Sequence, residues 1–561
     1  MQNDTAPRIG AVARPSAALR NSLYLWLTAL FTFLLVYFPM YLYYRKFRLG
    51  AALEFFENDT FYYLDVARNS MGLSFYSFDR VHPTNGFHPL WQYLLAYIVH
   101  FKAFSLSTTA GFLHIFLLDL LLTSVGYAAL SVFVSKTLRL YWLVPLAICP
   151  GLTWFLSAVV STHFLSAWSY VNGMETGLSL LFFGAALLCF GPRMRSVPAL
   201  YAGAFFLGLA VLARLDDVFF LIAFFIYAVY GLPYGKMKAA LAFVAPFLMI
   251  VAYVTYNRIS VGVFLPVSGA AKFGLSLPGN LRQTVFALRP GSWNFSLWSE
   301  LSMRLFQLWF PILLCSGYLI VAGKRGGIRS RPVLACLCTG TLLKGIYNLA
   351  FVAIWAQGHW YFGMSIFTCN VVLALALDGL FARALPAERP GRNASVRNAL
   401  LYSSIALFTW FCFEGLIGHN IAEQSAGDTY VIFMHGKNIA NDIRKSGEAG
   451  SFIELDDGEL AFASGIPSVS GFGLSLDSEA LRAKRSGHFF DLMEQRGIHT
   501  LVAGGALYQE LAASGLRGGG FNMGEWLGGV HDEEFARYVI VPVLVDKDSK
   551  ITIYNFAKRR P

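Results

Sequence analysis

The amino-acid sequence predicts an α-helical polytopic membrane protein that ends in a soluble α/β domain. Three observations carry this. The chain of 561 residues is 56% hydrophobic and 14% charged, with a mean hydropathy of +0.53, whereas soluble domains are about a quarter charged. Apolar runs long enough to cross a bilayer, roughly 20 residues each, recur between positions 23 and 418. From 419 to 561 the texture changes: the chain becomes charged and Gly-rich, with no spanning run.

Residues 1–22, with Arg8, Arg14 and Arg20, read as a cytoplasmic tail. The first apolar run, 23–44, is too long for a signal-peptide core and has no small-residue cleavage site, so it is expected to persist as a span. Short basic loops mark the cytoplasmic side of a membrane protein. Lys136 with Arg139, Arg193 with Arg195, Lys236 with Lys238, Lys324 with Arg331, and Arg383 with Arg397 share one side only if the spans between them come in pairs. That parity predicts about 11 transmembrane helices, near 23–44, 108–134, 140–160, 176–192, 197–213, 215–232, 239–256, 304–323, 332–356, 361–382 and 399–418. Segment 89–106 is apolar too, but counting it as a span inverts every later basic loop. It is expected as a juxtamembrane helix on the outer face, within a first outward loop at 45–107.

The net charge of +11 is spread over these topogenic loops rather than gathered in a groove, so no nucleic-acid partner is expected. The cysteines all lie in apolar stretches, and Cys336-Leu-Cys338 lacks metal-ligand spacing; they read as core residues. There is no P-loop and no GxSxG elbow.

The distinctive polar residues then all face outward. Glu57, Asn58 and Asp59 follow the first span, where an unpaired carboxylate is costly unless solvated, paired or metal-bound. Asn58 or Asp59 suits the cap of an amphipathic helix over 60–70; Asp59 also suits a base that takes a proton from a sugar hydroxyl, with Glu57 as acidic partner and Tyr62 and Tyr63 beside it. In VHPTNGFHPLW (81–91) the Thr84-Asn85-Gly86 run is turn chemistry, with Gly86 available for positive φ. Asn85 is a substrate-contact candidate there, and His82 and His88 suit hydrogen bonding, phosphate or metal.

Further along, Glu175 opens a span in NGMET, at the positive end of a helix dipole. Arg214 with Asp216 and Asp217 breaks an apolar hairpin, either as an internal salt bridge or with Arg214 gripping a phosphate bidentately. Lys272, in PVSGAAK, and His359 are further phosphate candidates; Trp360 and Tyr361 suit an interfacial aromatic belt or a stacking platform for sugar.

Glu57-Asn58-Asp59 in a first outward loop resembles the GT-C superfamily of polytopic glycosyltransferases. The order END-TFYYLDVARN, PTNGFHPLW, NGMET, LARLDD, PVSGAAK is similar to a narrower branch, the terminal arabinofuranosyltransferases of mycobacterial cell-wall synthesis. The resemblance covers roughly residues 20–380. It implies inverting transfer of one sugar from a polyprenyl-phosphate donor to an outward acceptor, a glycan, glycolipid or glycoprotein of the envelope, at a bacterial plasma membrane. Asp59 matches the catalytic carboxylate and Glu57 its acidic partner. The branch carries two adjacent aspartates and Gly-Tyr-Thr-Asn where this chain has Glu57-Asn58-Asp59 and Thr-Asn-Gly-Phe-His, so the sugar, arabinofuranose or another, stays open.

The residues lead to a related expectation. Nucleotide sugars are kept in the cytoplasm, so an outward-facing transferase needs a lipid-linked donor, its tail among membrane helices and lipids and its phosphate on Arg214, Lys272 or a divalent cation. Magnesium, manganese or calcium at Glu57 and His88 fits this scheme without being required by it. The tail is expected to cap the outer mouth or bind acceptor, with strands at 451–463, 500–503, 538–545 and 551–556 and a helix at 479–496. A transporter or flippase of a lipid-linked glycan is the competing reading, although no internal repeat of the carrier type is visible. A ligase or polymerase using a polyprenyl-diphosphate donor is another.

Overall fold

The computed structural model describes residues 58–101, 109–138, 171–191, 196–233, 235–287, 295–324, 327–354, 357–384, 395–400, 428–446, 451–455, 458–504 and 532–559, with isolated positions between them. The expected spans 23–44 and 140–160, most of 399–418, and Glu57 lie outside these residues.

Two helices shape the segment expected as the first outward loop. Helix α1, Asn58–Asn69, begins with Asp59 in its first turn and ends with Arg68 in its last, each suited to the helix dipole. The expectation of an amphipathic helix is corrected here. Phe61, Tyr62, Tyr63, Leu64 and Val66 are all buried, and so is Asp65. The C-terminal domain covers the side that would otherwise meet water: Arg68 pairs with Asp65 and donates to the carbonyls of Phe462 and Ala461 at 3.1 and 3.2 Å. Helix α2, Pro89–His100, starts with proline, whose missing N–H costs nothing there. It buries Trp91 and Leu95 and leaves Tyr93 and Tyr97 exposed, as a helix lying along a boundary would.

The apolar bundle follows: α3 Thr109–Val132, α4 Thr176–Phe190, α5 Val197–Ala213, α6 Val218–Gly231, α7 Lys236–Ala242, α8 Val244–Ser260, α9 Val267–Lys272, α10 Leu277–Ala287, α11 Phe295–Lys324, α12 Pro332–Phe351 and α13 Gly363–Ala384. Gly126 of α3 lies so close to α4 that a Cβ there would stand 2.8 Å from the backbone nitrogen of Leu181. Small residues permit such approach where lipid gives no hydrophobic drive between helices. Among the described residues, Gly111–Thr137, Pro332–Phe351 and Trp360–Arg383 are long and apolar enough to cross a membrane. Lys236–Ala242 with Val244–Ser260, bent by 43°, makes a fourth if the pair is one span. Thr176–Phe190 and Val197–Ala213 are apolar but shorter.

After α14, Asp428–Met434, and α15, Gly436–Lys445, the tail builds a five-stranded sheet in the order β2-β1-β3-β5-β4. Strands β1 (Phe452–Glu454), β2 (Ser468–Ser470) and β3 (Thr500–Gly504) run parallel; β5 (Ile551–Lys558) is antiparallel to both β3 and β4 (Tyr538–Asp546). The expected strand 451–463 is only β1, followed by helix α16, Glu459–Ser464. The turn is fixed by Glu454, whose carboxylate accepts from Leu460 N at 2.6 Å. The expected helix 479–496 is two helices, α17 Ser478–Arg485 and α18 Phe489–Gln495, parted at Gly487 with its positive φ of 72°.

Candidate active site

The distinctive polar residues of six separate stretches line one cavity of about 410 Å³. Asp59, Tyr62 and Tyr63 come from α1, His88 from the start of α2, Glu175 from the turn before α4, and Arg214 and Asp216 from the break between α5 and α6. Lys272 ends α9, and Tyr361 stands in the turn His359–Phe362. Leu474 of the C-terminal domain closes the roof, and Phe219, Leu265, Phe273, Tyr347 and Val352 give one apolar side.

An ion-pair network forms the floor. Arg214 pairs with Glu175, which is fully buried, and its Nε lies 2.9 Å from Asp216 Oδ1. Lys344 reaches Asp216 Oδ2 at 2.9 Å and Asp217 Oδ1 at 2.8 Å, and Ser179 donates to Asp217 Oδ2 at 2.9 Å. The guanidinium of Arg214 lies 4.3 Å from the ring centre of Tyr361. Arg214 is therefore engaged by two carboxylates and a ring, which is the internal salt bridge of the two readings open to it. Asp216 thus lies between two cations, Arg214 and Lys344.

His88 joins this floor. Its Nδ1 accepts the backbone N–H of Leu215 at 3.2 Å, which leaves the proton on Nε2, 3.6 Å from Glu175 Oε1. Burial lowers its pKa, against the raising pull of Glu175. Tyr63 donates to Glu175 Oε2 at 3.3 Å.

Asp59 stands apart from this network. It is partly buried, and among the described residues its carboxylate has no hydrogen-bond partner. Burial raises its pKa above the usual 3.8, Lys272 opposes the rise, and Glu175 adds to it. A carboxylate with open lone pairs and a raised pKa, facing a cavity, has the chemistry of a general base.

The other expected residues fall beside the cavity. Asn85 organises its wall: Oδ1 accepts Val267 N at 3.0 Å and Nδ2 donates to Leu265 O at 3.4 Å. Gly86 does not take a positive φ; its smallness matters instead, because a Cβ would stand 1.7 Å from the carbonyl oxygen of Leu474. Trp360 packs against the bundle core, and its carbonyl accepts from Thr176 at 3.3 Å. The His359 side chain lies outside the described residues. Lys344 is missing from the residues expected above, although the sequence signals it: it is the one charged residue in Pro332–Phe351.

For the expected cation, His88 has no open lone pair, since Nδ1 accepts from Leu215 and Nε2 carries the proton, and its partner Glu57 is not among the described residues. Asp79, His82 and Asp477 bring ligand atoms within 4.8 Å of one another. Both carboxylates are already engaged there. Asp477 caps α17 and pairs with Arg496 at 2.7 Å, while Asp79 accepts from His82 N at 2.7 Å and contacts His82 Nδ1 at 2.6 Å.

No family model matches the chain, and no curated protein matches it. The structure is similar to the crystal structure of ArnT from Cupriavidus metallidurans bound to undecaprenyl phosphate, with a TM-score of 0.47 and 13% identity over 96% of this chain and 98% of that one. It is similar to ArnT from the same organism in the apo state, with TM-score 0.47 and 14% identity over the same shares. A third similarity is to the Archaeoglobus fulgidus oligosaccharyltransferase in complex with Zn and sulfate, with TM-score 0.43 and 12% identity over 86% of this chain and 67% of that one.

Proposed function

We propose that the chain is an integral-membrane glycosyltransferase that moves one sugar from a polyprenyl-phosphate donor to an acceptor hydroxyl outside the cytoplasm, with inversion. One observation carries the reading: Asp59 presents a carboxylate with no hydrogen-bond partner among the described residues to a cavity that has a cation, Lys272, on one side and an apolar wall on another. A sugar phosphate on a long isoprenoid needs those three things together.

In this reading the acceptor hydroxyl sits against Asp59. Its oxygen attacks the anomeric carbon as the bond to the phosphate oxygen breaks on the opposite face, and the proton passes to Asp59. The leaving phosphate takes the bonding pair, and its charge is met by Lys272, with Arg214 held nearby by Glu175 and Asp216. His88, Tyr62 and Tyr63 border the sugar. The isoprenoid lies along Phe219, Leu265, Phe273 and Val352. The tail roofs the site through Leu474, which suits acceptor recognition on the extracytoplasmic side. Arabinofuranose is the first sugar to test.

The test is transfer from a defined polyprenyl-phosphate sugar in membranes containing the full chain. Asp59→Asn and Asp59→Ala are expected to abolish transfer with normal folding. Undiminished transfer removes Asp59 as the base, and absence of transfer by the unaltered chain with every donor tried, alongside movement of an intact lipid-linked glycan, replaces this reading with the transporter.

A further inference from the structure

Asp119 is fully buried in α3, within the apolar stretch Gly111–Thr137. A carboxyl group in such a place is costly and calls for a named partner. That partner is a backbone amide outside the span: Oδ2 accepts the N–H of Gly173 at 3.0 Å. The same turn is gripped from two other directions. Thr60 Oγ1 donates to Asn172 O at 2.8 Å, and Trp91 Nε1 donates to Gly173 O at 3.0 Å. Thr60 is the neighbour of Asp59 on α1, Trp91 belongs to α2, and Glu175 follows Gly173 by two residues.

The turn at 172–173 therefore joins the helix bearing Asp59 to the residue that anchors Arg214, and Asp119 ties α3 to it. The packing leaves no slack. Gly173 adopts a φ of +81°, and a Cβ on it would strike Phe56 and Thr60. The other oxygen of Asp119 and the hydroxyl of Thr123 both crowd the position a Cβ on Gly177 would occupy. Both atoms are buried with no hydrogen-bond partner among the described residues.

We propose that Asp119 is a positioning residue: by accepting the Gly173 N–H it fixes the 172–176 turn, and with it the separation between Asp59 and the Glu175–Arg214 pair. The kinetic part rests on the transferase reading; the structural part does not. Asn at 119 keeps a carbonyl oxygen for the Gly173 amide and brings an N–H for the orphaned Thr123 oxygen. Leu is of similar size and offers neither.

The experiment compares Asp119→Asn and Asp119→Leu in the full chain in lipid nanodiscs. Asp119→Leu is expected to lower kcat by roughly 10- to 100-fold, the scale of a misplaced catalytic group, with KM for donor within about twofold. Asp119→Asn is expected within about threefold of the unaltered chain in both. Amide exchange of a peptide covering 171–178 is expected about tenfold faster or more in the Leu variant and unchanged in the Asn variant. Should Asp119→Leu not be recovered folded, Asp119→Ser, too short to reach the amide, takes its place with the same expectation. Exchange needs no transfer assay, so a wrong transferase reading leaves it intact and shows itself in the unaltered chain. The proposal is overturned if Asp119→Leu leaves exchange and kcat unaltered, or if Asp119→Asn is as damaging as Asp119→Leu, since the acid itself would then act.

Discussion

Nζ of Lys272 donates to Oη of Tyr361 at 2.7 Å, tying the short helix Val267–Lys272 to the turn His359–Phe362. The ring of the same tyrosine carries the Arg214 guanidinium at 4.3 Å. One side chain thus holds two cations at a set spacing beside Asp59. Tyr361→Phe keeps the ring but releases the ammonium from its partner. A lost hydrogen bond to a charged group is worth about 1.5–3 kcal/mol, so KM for the polyprenyl-phosphate donor is expected to rise about tenfold with kcat little changed. Tyr361→Ala removes the ring as well and is expected to lower kcat too. Initial rates against donor concentration separate the two; equal effects of both variants would show that the ring contributes nothing.

In the proposed reaction Asp59 must be ionised to accept a proton, and burial holds its pKa above the usual 3.8. Transfer is therefore expected to rise with pH on the acid side, with an apparent pKa above that value. Lys272 opposes the rise, so removing its charge has a defined sign. In Lys272→Met the carboxylate loses a favourable neighbour, its pKa climbs, and the acid limb of kcat/KM moves to higher pH. A limb that stays put or moves down in the variant would assign the titration to another group. The profile should be taken at low ionic strength, where screening is least.

How much of this was readable beforehand depended on the range of the interaction. The apolar runs give helices wherever they are described, since burial of an uninterrupted apolar run needs no partner to be known. The motif order placed Asp59, His88, Glu175, Arg214, Lys272 and Tyr361 on one side, and they do line one cavity. What distance along the chain conceals is pairing. Arg214 could be paired locally with Asp216 and Asp217 or open to a phosphate, and its partner Glu175, 39 residues away, is not visible from the sequence. Lys344 is an isolated lysine until Asp216 and Asp217 appear against it. Helix α1 reads as amphipathic because its cover, the Phe462 segment, lies 394 residues downstream of Arg68. In the tail the errors were local: the 479–496 run has helical composition throughout, and only the positive φ at Gly487 divides it.

Lys344 carries the positive charge that keeps two adjacent carboxylates together, buried Asp217 and half-buried Asp216, with contacts of 2.8 and 2.9 Å. Breaking a buried pair by deleting one partner leaves an uncompensated charge, at about 3–5 kcal/mol. Lys344→Met is accordingly expected to be strongly destabilising in thermal unfolding of the detergent-solubilised chain. Adding Asp217→Asn removes one of the stranded charges while Arg214 still serves Asp216, so the double variant is expected to recover part of the loss. If the double variant is no more stable than Lys344→Met alone, the cost lies in packing of the lysine stem and not in charge.

The roof over the cavity depends on Gly86. Its φ lies outside the left-handed region, so alanine meets no backbone penalty there; the obstacle is the Leu474 carbonyl, 1.7 Å from where a Cβ would stand. Backbone cannot swing aside as a side chain does. The loop bearing Leu474 would have to lift, and the bond from Thr84 Oγ1 to Leu476 O at 2.9 Å would be stretched with it. Overpacking of this kind costs about 1–3 kcal/mol, enough to shift the tail from closed to partly open over the cavity. Gly86→Ala is expected to raise amide exchange across 474–476 and to lower transfer, while Gly279→Ala, with nothing within 4 Å of its added Cβ, changes neither. Unaltered exchange at 474–476 in Gly86→Ala would mean that the tail does not rest on the 84–88 segment, and the roof would have to be sought elsewhere.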